Sequence, residues 1–366
     1  MNSAPGLCLM VPGPLEQRTG GYLYDARMVE GLRRLGWTVT VHNLEGRFPL
    51  PDARAEASTA AALSRVPGSA RVLIDGLALP AIARSLVGTR DPRQLLALVH
   101  HLTSDETGLT ALQEIRLQEA EIGLLNTVLG VIVTSEFTAS RVEQAGVTAS
   151  RIRCVVPGTE PAELAHGPGS GQPPALLCVG ALIPRKGQDI LIRALARLRQ
   201  HSWSCTLAGS SDRDPGFSRR LRALAEDAGL TDRITFAGEC DEAELDDLYL
   251  RSSVFVSPSL YEGFGMAIAE GLTRGLPIVS TTGGAIPFTV PPGAGILVSP
   301  GDDSALANAI STLLDDLPDK AGEPTSRAGS EARSRLSAAA RRGSKSLPGW
   351  DQQTQAFARA VLDLAP

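Results

Sequence analysis

Lysine is almost missing from this sequence. Of its 35 basic residues only Lys186, Lys320 and Lys345 are lysine, so arginine carries nearly all the positive charge. Aromatics are sparse at 4%. No apolar run reaches the roughly 18 residues needed to cross a bilayer, which excludes a transmembrane helix. The amino-terminal stretch MNSAPGLCLMVPG has no basic n-region and an apolar segment only a strand long, so no secretory signal is expected. The expected compartment is the cytoplasm, with a peripheral place at the inner face of a membrane left open. The five cysteines (Cys8, Cys154, Cys178, Cys205, Cys240) form no C-x-x-C pair and the histidines no H-E-x-x-H. Buried free thiols are expected rather than a disulfide framework or a metal site. A basic surplus is also lacking: the net charge is -5 and the pI about 5.7, which argues against a nucleic-acid partner and a polybasic membrane clamp. No G-x-G-x-x-G occurs, which disfavours an NAD or FAD enzyme.

What remains is an ordinary globular composition, 43% hydrophobic and 20% charged, over 366 residues. That length exceeds what one core usually organises and predicts two domains of roughly 150 to 200 residues. Short apolar runs alternate with longer amphipathic ones, the pattern of parallel α/β sheets. Strands are predicted at 7–11, 38–42, 71–75, 95–99, 131–134 and 152–156, with helices at about 21–35, 78–87, 109–127 and 136–145. The stretch PGTEPAELAHGPGSGQPP (157–174) is too rich in Pro and Gly for either period and reads as a linker. Alternation restarts with strands at 175–180, 205–209, 234–238, 254–257, 277–280 and 295–298 and helices at about 187–200, 217–228, 241–251, 264–273 and 302–315. Residues 319–346 read as a mobile loop followed by a surface helix, and 350–364 as an amphipathic helix. The domain bounds are therefore 1–165, a linker at 166–174, 175–346, and a closing segment at 347–366. Two Rossmann-like domains would place their ligand at the carboxyl ends of the strands, in a cleft between the sheets.

Four segments carry chemistry. In SPSLYEGFGMAIAEGL a strand ends near Ser257, and a loop leads into a helix at Gly265 or Met266. Gly263 and Gly265 let a ligand approach the backbone, and the helix start offers orphan amides. Glu262 and Glu270 do not suit a phosphate but accept hydrogen bonds from sugar hydroxyls. In VGALIPRKGQDIL, Arg185 and Lys186 stand at another loop-to-helix junction, a phosphate clamp in an otherwise lysine-poor chain. Gly20 and Gly21 precede a helix after the first strand, and His100 with His101 ends the strand LLALV. Asp212 and Asp214 make a D-x-D match that reads as a solvated turn.

The string EGFGMAIAEGLTRGLPIV resembles the Glu-x7-Glu motif of family 4 retaining glycosyltransferases of the two-domain GT-B type. VGALIPRKGQDILIRAL is similar to that family's donor-phosphate loop, RTGGYLYDARMVEGLRRLGWTVTV to its amino-terminal glycine loop, and WDQQTQAFARAVLDL to a closing helix that crosses back onto the first domain. The resemblance spans essentially the whole chain. It implies a GT-B fold and transfer of a sugar from a UDP- or GDP-sugar, with retention and without a metal or other cofactor, to an unidentified glycan, lipid-linked or small-molecule acceptor. It implies that Glu262 contacts the donor sugar and Glu270 the ribose. Gly263, Phe264 and Gly265 would bring amides to the sugar and diphosphate, Lys186 would neutralise the diphosphate, Gly20 and Gly21 would lie against the phosphates, and His100 would be the active-site histidine. One position departs: where many members of the family have arginine after the phosphate-loop glycine this chain has Ala181, and Arg185, beside Lys186, would supply that charge instead. A nucleotide-sugar epimerase or hydrolase on the same architecture is the alternative. A catalytically silent binding protein is a third reading, disfavoured by the missing secretion signal.

Overall fold

Each predicted strand is present in the computed structural model, which describes residues 5–86, 93–314 and 328–365. The chain folds as two compact units, one of residues 1–158 with 348–366 and one of residues 159–347. The division falls at Gly158, before the 165/166 boundary that composition suggests. The reason is local: Ala165 N–H already donates to Arg274 O at 2.9 Å and His166 N–H to Leu250 O at 2.9 Å, both in the second unit.

The first unit carries β1 (Gly6–Pro12), β2 (Thr38–Leu44), β3 (Arg71–Asp75), β4 (Gln94–Val99), β5 (Gly130–Val133) and β6 (Ile152–Cys154). All pair in parallel, in the order β2-β1-β3-β4-β5-β6. Its helices are α1 (Gly20–Arg34), α2 (Ala53–Arg65), α3 (Leu79–Ser85), α4 (Ala111–Leu125) and α5 (Glu136–Gln144). Periodicity misses α2, whose apolar face is mostly alanine. High alanine propensity and an Asp52 cap on the Ala55 N–H build it instead.

The second unit carries β7 (Ala175–Val179), β8 (Ser204–Ala208), β9 (Ile234–Gly238), β10 (Val254–Ser257), β11 (Ile278–Thr281) and β12 (Gly295–Val298). Their order is β12-β11-β10-β7-β8-β9, again parallel. Around this sheet lie α6 (Gln188–Ala196), α7 (Pro215–Asp227), α8 (Glu242–Leu250), α9 (Met266–Thr273), α10 (Ile286–Thr289), α11 (Asp303–Ser311) and α12 (Ala328–Gly343). The surface helix expected before 346 is α12; the loop expected at 319–327 lies outside the described residues.

The last helix, α13 (Trp350–Leu364), belongs to the first unit. It buries Trp350, Phe357, Val361 and Leu364. Gly31 of α1 admits it so closely that a Cβ there would stand 2.3 Å from Thr354 Oγ1. All five cysteines are free, with Cys178 and Cys205 buried. No helix among the described residues is long and apolar enough to cross a membrane.

Candidate functional site

Strand order locates the second unit's site. Chain order runs outward in both directions from the neighbours β7 and β10, so the loops leaving their carboxyl ends diverge, and a ligand fits at such a switch point. These two loops carry Arg185–Lys186 and Glu262. After β7 the chain makes a single turn, Pro184–Lys186, and reaches Gly187 at φ +68°. A Cβ on Gly187 would lie 2.2 Å from Pro258 O, so only glycine lets the two loops touch. Leu260 N–H closes the contact onto Arg185 O at 2.8 Å.

Glu262 is buried between these loops. Its Oε1 accepts from Lys186 Nζ at 2.6 Å and from Ser259 Oγ at 2.7 Å. Arg185 Nη1 donates to Tyr261 O at 2.9 Å and stands 3.6 Å from Glu262 Oε2. Burial alone would push the Glu262 carboxyl up. Lys186 and then Arg185 outweigh it, so the group sits below the usual carboxylate range. On its other side the loop is clasped by Gly283 and Gly284. A Cβ on either would come 2.3 Å from the carbonyl of Leu260 or Glu262, and Ala285 N–H donates to Glu262 O at 2.8 Å. Thr289 Oγ1 holds Phe264 O at 2.6 Å. Gly265, at φ +95°, then opens α9 with no side chain capping it; Ile268 N–H turns back to Gly265 O at 3.0 Å, and the Met266 and Ala267 amides stand at the helix start.

Glu270 faces a different set of partners. Its Oε2 accepts from the Tyr249 hydroxyl at 2.9 Å, and Arg274 donates to its carbonyl at 3.1 Å while lying over the Tyr249 ring at 4.4 Å. Burial raises the Glu270 carboxyl above its ordinary value despite Tyr249 and Arg274. The D-x-D match is structural: Asp214 caps α7 by accepting from Phe217 N–H at 2.8 Å.

In the first unit the corresponding switch point lies between β1 and β3. Here His100, just past β4, sits with two carboxylates that sequence reasoning did not single out. Its Nε2 is 3.0 Å from Asp25 Oδ1 and 3.6 Å from Asp75 Oδ2. Both aspartates are buried. Tyr24 packs edge-on against the His100 ring, centroids 5.4 Å apart. Gly21 brings the first turn of α1 onto the same ring, where a Cβ would lie 3.2 Å from its Cδ2. Burial and the neighbouring Asp25 push Asp75 up to about 7. Burial pulls His100 down, but Asp25 and Asp75 prevail and leave it above the ordinary histidine value. The donor atoms of this trio lie within 4.8 Å of one another. A signal for both aspartates was present: Asp25 interrupts the apolar face of YLYDARMV, and Asp75 ends the strand RVLID.

Residues 164–341, inside the second unit, match the family described as "Glycosyl transferases group 1". The chain is 29% identical over 262 residues to a GDP-mannose-dependent alpha-(1-6)-phosphatidylinositol monomannoside mannosyltransferase of Mycolicibacterium smegmatis, covering 66% of each chain. It is 34% identical over 203 residues to a D-inositol 3-phosphate glycosyltransferase of Acidothermus cellulolyticus, covering 50% of this chain and 45% of that one. The chain thus spans about half to two thirds of these curated relatives' length. Among solved structures, sucrose-phosphate synthase from Thermosynechococcus elongatus matches with a TM-score of 0.80 at 22% identity, over 97% of this chain and 98% of that one. Anabaena Alr3699/HepE in complex with UDP-glucose matches with a TM-score of 0.76 at 18% identity, over 97% and 98%. At such identities the structural likeness establishes the GT-B fold.

Proposed function

We propose that the chain, whose residues 164–341 match the group 1 glycosyltransferases, is an enzyme of that kind and moves a sugar from a nucleoside-diphosphate sugar to an acceptor hydroxyl, with retention and without a metal. The observation that carries this reading is the buried Glu262 locked to Lys186 at the β7/β10 switch point. A carboxylate held ionised next to a cation presents acceptors for sugar hydroxyls and donors for phosphate within one turn of chain. Lys186 has three ammonium protons and Glu262 takes one, so donation to a phosphate oxygen remains open. The amides of Gly263, Phe264 and Gly265 and the uncapped start of α9 add oriented donors. Glu270, held by Tyr249 through one oxygen, offers the other to the ribose. In the first unit, His100 and the Gly20–Gly21 turn are assigned to ligand contact.

In the reaction the bond between the anomeric carbon and the phosphate oxygen breaks. The acceptor oxygen bonds to that carbon from the same face, and its proton passes to the leaving phosphate oxygen. Charge grows on the diphosphate as the bond stretches. Lys186 and the α9 amides stabilise that charge more than the ground state, which is what lowers the barrier.

The test is a thermal-shift and calorimetry panel of UDP, GDP and their sugar derivatives, followed by donor turnover with and without candidate acceptors. The expected result is stabilisation by one nucleotide class, about 2.7 kcal/mol at a hundredfold excess over Kd, and sugar transfer that requires an acceptor. Equal turnover without an acceptor would instead identify an epimerase or hydrolase.

A further inference from the structure

Beyond the second unit's site, the first unit holds an arrangement that sugar transfer does not itself require: two buried carboxylates on one edge of a histidine. Asp25 comes from the middle of α1 and Asp75 from the end of β3. They meet only because β1 and β3 are neighbours and the first turns of α1 lie over β4's carboxyl end. Asp25 Oδ2 is buried and receives no hydrogen bond from a donor group. Two ionised carboxylates cannot share such a place without a proton between them. Asp75 Oδ1 is already occupied by the Leu77 N–H at 2.9 Å.

We propose that Asp25 and Asp75 are positioning residues for His100: the pair shares one proton beside the ring's Nε2 edge, fixes Nε2–H as the donor to Asp25, and leaves Nδ1 as the ring atom offered to a ligand. The ring is packed on two sides. Gly21 covers its Cδ2 side and Tyr24 stands edge-on to it. The His100 carbonyl is tied by the hydroxyls of Thr134 at 3.3 Å and Thr138 at 3.2 Å. The charged and titratable neighbours are few. From α1 come Asp25 and Tyr24, whose hydroxyl is committed to Val155 O at 2.9 Å beside Cys154, and from β3 comes Asp75. His101, next in the chain, pairs with Glu106 at 3.3 Å. From α13, Trp350 and Phe357 reach Tyr24 as apolar contacts. Nδ1 then accepts a hydroxyl proton while the ring is neutral, and donates to an anionic oxygen once the ring is charged.

The assignment of His100 to ligand contact rests on the reading above. The positioning role is measured without donor or acceptor, so a failed transferase assay leaves it standing. Nitrogen-15 histidine spectra of the full chain resolve five imidazoles, and His100→Gln identifies the signal that matters. The expected wild-type spectrum shows the Nε2–H tautomer in the neutral form and a titration midpoint above that of free histidine. Asp25→Asn lowers the midpoint, and Asp75→Asn keeps the tautomer because its amide donates where the shared proton stood. A neutral Nδ1–H tautomer in the wild type overturns the proposal even if Asp25→Asn fails to fold. So does a midpoint indifferent to Asp25→Asn. Perturbation of the His100 signal by stoichiometric zinc, abolished in Asp75→Asn, would show a metal site in place of the proton-sharing pair.

Discussion

Lys186 and Glu262 cannot be exchanged one at a time without changing the charge balance of the other. Lys186→Met leaves a buried carboxylate with the Ser259 hydroxyl at 2.7 Å and the Arg185 guanidinium at 3.6 Å, and removing one partner of a buried pair typically costs about 3–5 kcal/mol. Glu262→Gln keeps a hydrogen-bond acceptor and should be milder. The double variant should recover much of the Lys186→Met loss, giving a coupling above about 1 kcal/mol in a urea-denaturation cycle. Additive losses would mean the ion pair is incidental. The pH dependence has a definite sign. Glu262 titrates lower in the folded state than in the unfolded one, so its contribution is complete above the unfolded value and disappears as pH falls through the folded value. The stability gap between wild type and Glu262→Gln should therefore close in acid. Asp75 has the opposite sign. Its folded carboxyl holds a proton up to about 7, against 3.8 for the ordinary group. The folded state binds more protons across that window, so stability falls as pH rises through it. Asp75→Asn removes the penalty, and its melting temperature relative to wild type should be higher at pH 8 than at pH 5. A constant difference would place the Asp75 ionisation elsewhere.

At the scale of elements, the two loops at the β7/β10 edge are one piece because Gly187 lets them be. Gly187→Ala combines a left-handed backbone, costing about 1–2 kcal/mol for a non-glycine residue, with a Cβ 2.2 Å from Pro258 O. That carbonyl cannot swing away freely, since Leu260 is bonded back to Arg185. Gly36 is the control, with φ +85° and nothing within 4 Å of its would-be Cβ. Gly187→Ala should lower the melting temperature well beyond Gly36→Ala and weaken nucleoside-diphosphate binding as well. Comparable losses in both variants, with diphosphate affinity intact, would mean the loop contact does not organise the site.

At the scale of the whole molecule, the chain returns at its end to the unit it began with. A chain stopped after Leu347 would expose the surfaces that Trp350, Phe357, Val361 and Leu364 cover. Each such side chain stabilises by about 1.5–3 kcal/mol when fully buried. The expected calorimetric result is loss of the first unit's cooperative transition. The second unit has its own core around Leu191, Leu221, Val256 and Ile310 and should still melt cooperatively, with any nucleotide-dependent shift retained. Full retention of both transitions would show α13 to be dispensable.

Local period was enough to determine the parallel α/β class, the positions of the strands and the loops that carry Glu262, Lys186 and His100. A strand buried on both faces must be an apolar run, and a glycine beside a helix start marks a backbone approach wherever it lies in the fold. Period is blind to α2, where alanine propensity rather than an apolar stripe makes the helix. It is equally blind to strand order, because neighbours in a sheet are chosen by non-local burial. Only tertiary structure made β7 adjacent to β10 and β1 adjacent to β3. That adjacency set Lys186 against a carboxylate 76 residues away and gathered Asp25 and Asp75 at one edge of His100. Ionisation followed from it: the same side chains in water would titrate normally, and burial with chosen neighbours lowers Glu262 and raises Asp75.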